Sequence, residues 1–243
     1  MNRKELEQLP SFATDPEAAL ASYRQLGFHI EYNVWTASEC AALIKAAEKF
    51  PSFKDQTFAP AMQPHREEPI FLSALSKPTI VTIMEQLVEG RVSGLQTQFF
   101  FCPPGTPGFS MHQDNFYVEA KRDAFASAWT PLQDVSPEKG SLIVYPGSHR
   151  ESILPIEPIE QAQSISQDIN ANRQQVVLPS GYEPVDLFVP MGATVFLHGY
   201  TVHASHQNRT NQFRNVLLMT YIRSGESFRP GFSARRAEVE VYS

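Results

Sequence analysis

Apolar residues recur along this chain with two different periods. Up to about residue 90 they return every three or four positions, and beyond it they alternate, or bunch in short runs cut by proline and glycine. DPEAALASYRQ (15–25) predicts a helix with Asp15 as its cap, Pro16 in its first turn and Gly27 where it stops. FHIEYNVW (28–35) predicts a strand, and TASECAALIKAAEKF (36–50) a second helix that opens with a Thr36/Glu39 capping box. Residues 51–69 hold several prolines and no period, which reads as loop, and TIVTIMEQLVE (79–89) predicts a third helix closed by Gly90.

The strand-like runs are VSGLQTQFFFC (92–102), FASAWTPLQDV (125–135), SLIVYPGS (141–148), QQVVLP (174–179), EPVDLFVP (183–190), ATVFLHGY (193–200) and RNVLLMTYI (214–222). Many short strands separated by turn residues predict an antiparallel sandwich or jelly roll. The expected architecture is mainly β with N-terminal helices, one domain over residues 1–243, with a helical part over about 1–90 and a β-core over about 91–223. Residues 151–175 are polar and long for a connection inside such a core, which marks them as a functional lid or a disordered segment.

Composition narrows the partners. At 42% hydrophobic the chain can bury a core, and a net charge of −6 with no basic stripe argues against nucleic acid. Two cysteines, Cys40 and Cys102, cannot build a disulfide framework and suit a reducing compartment. The opening MNRKELEQLPSF has no apolar signal core, and no run is long enough to cross a bilayer, so a soluble cytoplasmic protein with no membrane partner is expected. Its oligomeric state is not legible.

The chemistry concentrates in FSMHQDNFYV (109–118). If this stretch is extended, His112 and Asp114 share a face, and one imidazole and one carboxylate converge. A surface turn explains a lone His-x-Asp pair equally well. A third ligand is available in FLHGYTVHASHQNRTNQFR (196–214), where His198, His203 and His206 compete. His203 and Ser205 share a face if this segment is extended; His198 reads as a strand-end histidine, His206 as a loop one, and His29, His65 and His149 as structural. Two histidines and a carboxylate in this order form the facial triad of non-haem Fe(II) oxygenases. Arg214 heads the row Val216, Leu218, Thr220 and Ile222, and a guanidinium opening an apolar row needs an anionic partner such as the carboxylate of a small acid. Gln96 and Gln98 share a strand face with Phe100 and Cys102, either solvated or turned into a ligand-binding interior.

Read together, these pieces resemble the phytanoyl-CoA dioxygenase family of Fe(II)/2-oxoglutarate-dependent oxygenases. The matching residues are HQD (112–114), W-x-P-L-x-D with GSLIVYPGSH (129–149), H-A-S-x-x-N-R-T…R (203–214) and the opening GFHIEYNVWTASECAALI (27–44). The resemblance implies a double-stranded β-helix in which His112, Asp114 and His203 bind iron. It further implies that Arg214 and Ser205 hold the distal carboxylate of 2-oxoglutarate, that Trp129 walls that pocket and that Gln98 helps to hold the cosubstrate. Ala204 stands where the family often has glycine. A carboxylate at Asp114, where halogenating relatives have a small residue, implies hydroxylation of a small molecule, or a related hydrogen-abstraction outcome such as desaturation, epimerisation or ring formation, with O2, releasing succinate and CO2. Gln96, Asn115, Tyr117 and the loop 58–66 are candidate substrate contacts. Two other classes stay open: a cupin-like isomerase or dioxygenase that does not use 2-oxoglutarate, and a non-catalytic binding protein.

Overall fold

The computed structural model describes residues 1–54, 59–159 and 173–242. In chain order the elements are α1 (Arg3–Glu7), α2 (Pro16–Leu26), β1 (Phe28–Glu31), α3 (Ala37–Ala47), α4 (Pro51–Lys54), β2 (Ala61–Met62), α5 (Pro69–Leu75), α6 (Pro78–Leu87), β3 (Val92–Cys102) and α7 (Asn115–Val118). There follow β4 (Phe125–Pro131), β5 (Leu142–Val144), β6 (Ile156–Pro158), β7 (Gln174–Val176), β8 (Val185–Asp186), β9 (Thr194–His198), β10 (His203–Ser205) and β11 (Arg214–Arg223).

Local chemistry sets the helix ends. The Asp15 carboxylate accepts from the Ala18 N–H, and Gly27 stops α2 in the left-handed region at φ 81°. Thr36 and Glu39 close both halves of the capping box of α3.

The described strands form a six-stranded sheet in the order β1-β9-β4-β11-β3-β2, a three-stranded sheet β10-β5-β8 and the hairpin β6-β7, with every named pairing antiparallel. All eleven residues of β3 are buried, because its sheet is covered on both faces. Phe99, Phe101, Leu217, Met219 and Tyr221 pack outward against α3, α5 and α6. Phe100, Trp129, Leu197 and Val216 pack inward against Leu142, Val144 and Val185 of the small sheet. The layers are therefore helices, large sheet, small sheet, and the inner core between the two sheets is the one that opens onto the site.

Three expectations need correction. Residues 51–69 are not plain loop, since they hold α4, β2 and the 3-10 turn Pro64–Arg66; their prolines start short elements rather than preventing them. The strand expected over 28–35 ends at Glu31. FSMHQDNFYV is not a strand either: His112 makes a single bridge to His203, after which Asp114, at φ −57° and ψ −37°, begins the turn that becomes α7. Of the expected lid, residues 160–172 lie outside the described residues, as does Phe58 of the loop 58–66.

Candidate metal centre

His112 and His203 exchange backbone hydrogen bonds, N to O, of 2.9 and 3.0 Å, which sets the two imidazoles side by side with ring centroids 4.2 Å apart. The helical turn after Gln113 then brings Asp114 back towards them. Its Oδ1 lies 3.6 Å from His112 Nε2 and 3.8 Å from His203 Nε2. One donor atom from each residue falls within 4.8 Å of the others, a spacing suited to a single ion.

Each of these side chains is oriented by its other polar atom. His112 Nδ1 lies 2.8 Å from the Ser110 carbonyl, and His203 Nδ1 lies 3.0 Å from that of Thr201. Carbonyls only accept, so both Nδ1 atoms carry a proton, and Nε2 is the atom that each ring turns to the cluster. Asp114 Oδ2 accepts from the Ser127 hydroxyl at 2.5 Å, which leaves Oδ1 turned to the imidazoles. Burial, reinforced by His203, holds the His112 imidazole below its usual pKa and so in its metal-binding form. Burial alone would raise the Asp114 carboxyl; His203, His112 and the Ser127 hydrogen bond outweigh it and keep the group below the usual carboxylate range. Two imidazoles and one carboxylate fit a divalent first-row ion with open positions.

The cluster lines a cleft running between the two sheets. Phe100, Phe109, Trp129, Val216 and Leu218 line it, and Arg214 and Ser205 bring polar groups to it. Arg214 is 3% exposed, and no carboxylate among the described residues pairs with it. Its Nη1 donates to the Gly140 carbonyl, its Nη2 lies 2.8 Å from Cys102 Sγ, and its Nε has no partner. A Cβ at Gly140 would sit 2.9 Å from Nη1, so the missing side chain is what lets the guanidinium lie there. Ser205 Oγ accepts from the Phe109 N–H at 2.8 Å, leaving its own proton to donate into the cleft. A buried cation with unused donors beside a free hydroxyl suits a carboxylate.

The remaining candidates separate cleanly. Gln96 and Gln98 are buried on β3, on the inward side; the Gln98 amide donates to Met62 Sδ at 3.1 Å, and neither residue is on the cleft wall. Asn115 uses both ends of its amide to clamp the main chain of Ala120, so it shapes the turn after Asp114. Tyr117 lines a second, smaller recess with Met111, Phe116, Ile156, Gln174 and Val176. His112 borders both cavities. His198 ends β9 and pairs with Asp123 at 2.8 Å, and His206 pairs with Asp186 at 2.7 Å. His29, His65 and His149 are buried against Glu31, Thr97 and the Arg24 carbonyl. Ser127 and Phe109 were not legible as site residues. The available signal was that Ser127 stands two positions before Trp129, on the same face of β4.

Fold and site together define a mainly-β protein with a two-histidine, one-carboxylate candidate metal centre on an apolar cleft that also holds a buried arginine. A family profile described as phytanoyl-CoA dioxygenase (PhyH) matches residues 23–216, and the chain belongs to that family. It is 25% identical over 207 residues to a probable phytanoyl-CoA dioxygenase of Caenorhabditis elegans, covering 75% of this chain and 64% of that protein. It is 26% identical over 185 residues to the peroxisomal phytanoyl-CoA dioxygenase of Homo sapiens, covering 72% of this chain and 51% of that protein. The matched part thus spans about half to two thirds of these relatives' lengths. Among solved structures, the fold is similar to the non-heme alpha ketoglutarate dependent carbocyclase SnoK from nogalamycin biosynthesis, with TM-score 0.71, 20% identity, and 93% and 88% of the two chains covered. It is likewise similar to EvdO2 from Micromonospora carbonacea var. aurantiaca complexed with 2-oxoglutarate, with TM-score 0.65, 20% identity, and 90% and 91% covered. No described helix is long and apolar enough to cross a membrane.

Proposed function

We propose that this chain is an Fe(II)/2-oxoglutarate-dependent dioxygenase that hydroxylates an unactivated C–H bond of a small molecule, built as one double-stranded β-helix domain. The observation that carries this reading is the placement of the His112, Asp114 and His203 donors within 4.8 Å of one another, on a cleft that also holds the buried Arg214. Family membership supports it, and so do the two facing antiparallel sheets. Cys40 and Cys102 are buried and not joined in a disulfide, which suits a reducing, cytoplasmic setting.

His112, Asp114 and His203 hold the iron in this reading. Bound there, Fe(II) supplies, with O2 and 2-oxoglutarate, the oxidising power to attack a C–H bond while 2-oxoglutarate goes to succinate and CO2. Arg214 and the Ser205 hydroxyl receive the far carboxylate of 2-oxoglutarate, and Trp129, Phe100 and Phe109 keep water from its chain. The recess of Met111, Phe116, Tyr117 and Ile156 takes the substrate, because His112 borders both it and the cleft that holds Arg214.

Anaerobic addition of Fe(II) and 2-oxoglutarate to the purified protein should produce a weak visible charge-transfer band, and air should then release succinate. The absence of both would refute the assignment. A jelly-roll enzyme that does not use 2-oxoglutarate would show neither signal and would keep its activity in Arg214→Ala.

A further inference from the structure

We propose that Ser127 is a positioning residue that keeps Asp114 a one-oxygen ligand, and so preserves the open positions which the proposed reaction needs. This inference rests on the metal site described above and goes beyond its three ligands. His112 and His203 are steered by the main-chain carbonyls of Ser110 and Thr201, which no substitution removes. Asp114 is steered by a side chain: the hydroxyl of Ser127, on β4, donates to Oδ2 at 2.5 Å. Ser127 is fully buried and does not line the cleft, so its hydroxyl serves Asp114 rather than substrate or cosubstrate.

The geometry explains why the hydrogen bond matters. A carboxylate offers two equivalent oxygens, and an ion near the imidazoles can be gripped by one or by both. With Oδ2 engaged by Ser127, only Oδ1 faces His112 Nε2 and His203 Nε2, at 3.6 and 3.8 Å. A charge-assisted O–H···O⁻ bond in a buried setting is among the stronger neutral-donor bonds available. Without the hydroxyl, Oδ2 would be a part-buried acceptor lacking that partner, and turning it towards a bound cation would satisfy it. That turn fills a position that cosubstrate or O2 needs. Ser127 stands two residues from Trp129 on the same face of β4, so one strand holds the ligand carboxylate and walls the cleft.

The test uses metal affinity and coordination rather than turnover alone. Wild type, Ser127→Ala and Ser127→Thr are titrated without oxygen with Mn(II), read by loss of the free-ion EPR signal, and with Co(II), read by its visible ligand-field spectrum. Loss of an oriented outer partner typically costs roughly 10- to 100-fold in metal affinity. Ser127→Ala is expected to show a loss of that order together with a changed Co(II) band pattern, while Ser127→Thr, which retains the hydroxyl, keeps both near wild type. Metal-free melting of each variant separates this from misfolding, and Ser127→Cys, with its weak S–H donor, should fall between the two if Ser127→Ala does not fold. Wild-type Mn(II) affinity and an unchanged Co(II) spectrum in Ser127→Ala overturn the proposal while leaving the metal site standing. So does an equal loss in the alanine and threonine variants when both melt as wild type. A wild-type protein that binds neither ion overturns the metal centre itself, and this proposal with it.

Discussion

Arg214 and the His112, Asp114 and His203 cluster line one cleft, and each can be tested singly. Replacing His112 or Asp114 by alanine removes one donor of three; Mn(II) binding and succinate release should both be lost while the metal-free protein still folds, as checked by circular dichroism. Retained turnover would remove that residue from the site. Arg214→Lys keeps the charge but not the planar fork. The KM for 2-oxoglutarate should rise about ten- to a hundredfold, the loss expected for one charge-assisted hydrogen bond. A steady-state titration with cosubstrate reads it, and an unchanged KM would show that Arg214 does not hold 2-oxoglutarate.

Among the elements, the junction of α2 and β1 is linked to the site through Thr201. The Gly27 carbonyl accepts from the Thr201 hydroxyl at 2.6 Å and from the His198 N–H at 2.9 Å. The carbonyl of the same Thr201 orients His203. Gly27 has φ 81°, and a Cβ there would lie 2.4 Å from His149 Nδ1 and 2.5 Å from Thr201 Oγ1. Gly27→Ala should therefore cost at least ~1–2 kcal/mol from the left-handed conformation alone, with a further loss from the clash, and it should weaken Mn(II) binding through Thr201. Urea unfolding and the EPR titration measure the two effects; a variant as stable as wild type would contradict the assigned packing. Thr36→Ala removes the side-chain half of the α3 cap, far from the site. It should lower stability by ~1 kcal/mol and leave the KM for 2-oxoglutarate unchanged.

For the molecule as a whole, buried histidines predict loss of stability in acid. Burial, with help from Arg66, pushes the His65 imidazole down to about 4. Burial and the neighbouring His198 push His149 down to about 4 as well. An imidazole in the unfolded chain titrates near 6.5, so between about pH 6.5 and 4 the unfolded state binds more protons than the folded one. Stability is then fully present above the unfolded value and falls as pH drops through this window, by up to ~1.4 kcal/mol per unit for each group. Lowered carboxyls at Glu31 and Glu39 act in the same sense at still lower pH. Thermal melts of the metal-free protein at pH 7.5 and 5.0 check this, and equal midpoints would contradict it.

What could be read along the chain was whatever a few neighbouring residues settle between themselves. The Asp15 and Thr36 caps, the Gly27 stop and the alternation that puts Phe99 and Phe101 on one face of β3 and Phe100 on the other all depend on contacts within one turn or one pleat. The order of the histidine and carboxylate motifs was equally visible, and it pointed to the family. The tertiary structure decided how those motifs meet. His112 and Asp114 converge through a bridge and a turn rather than a pleat, because the strand partner that sets His112 is His203, ninety-one positions further on (203 − 112). Arg214 lies against Gly140, 74 residues away, and Asp114 is gripped by Ser127 from the next strand, 13 residues away. Residue types and local periodicity carry no record of such distances; register between strands sets them, and register is fixed only when two sheets close over a shared apolar core.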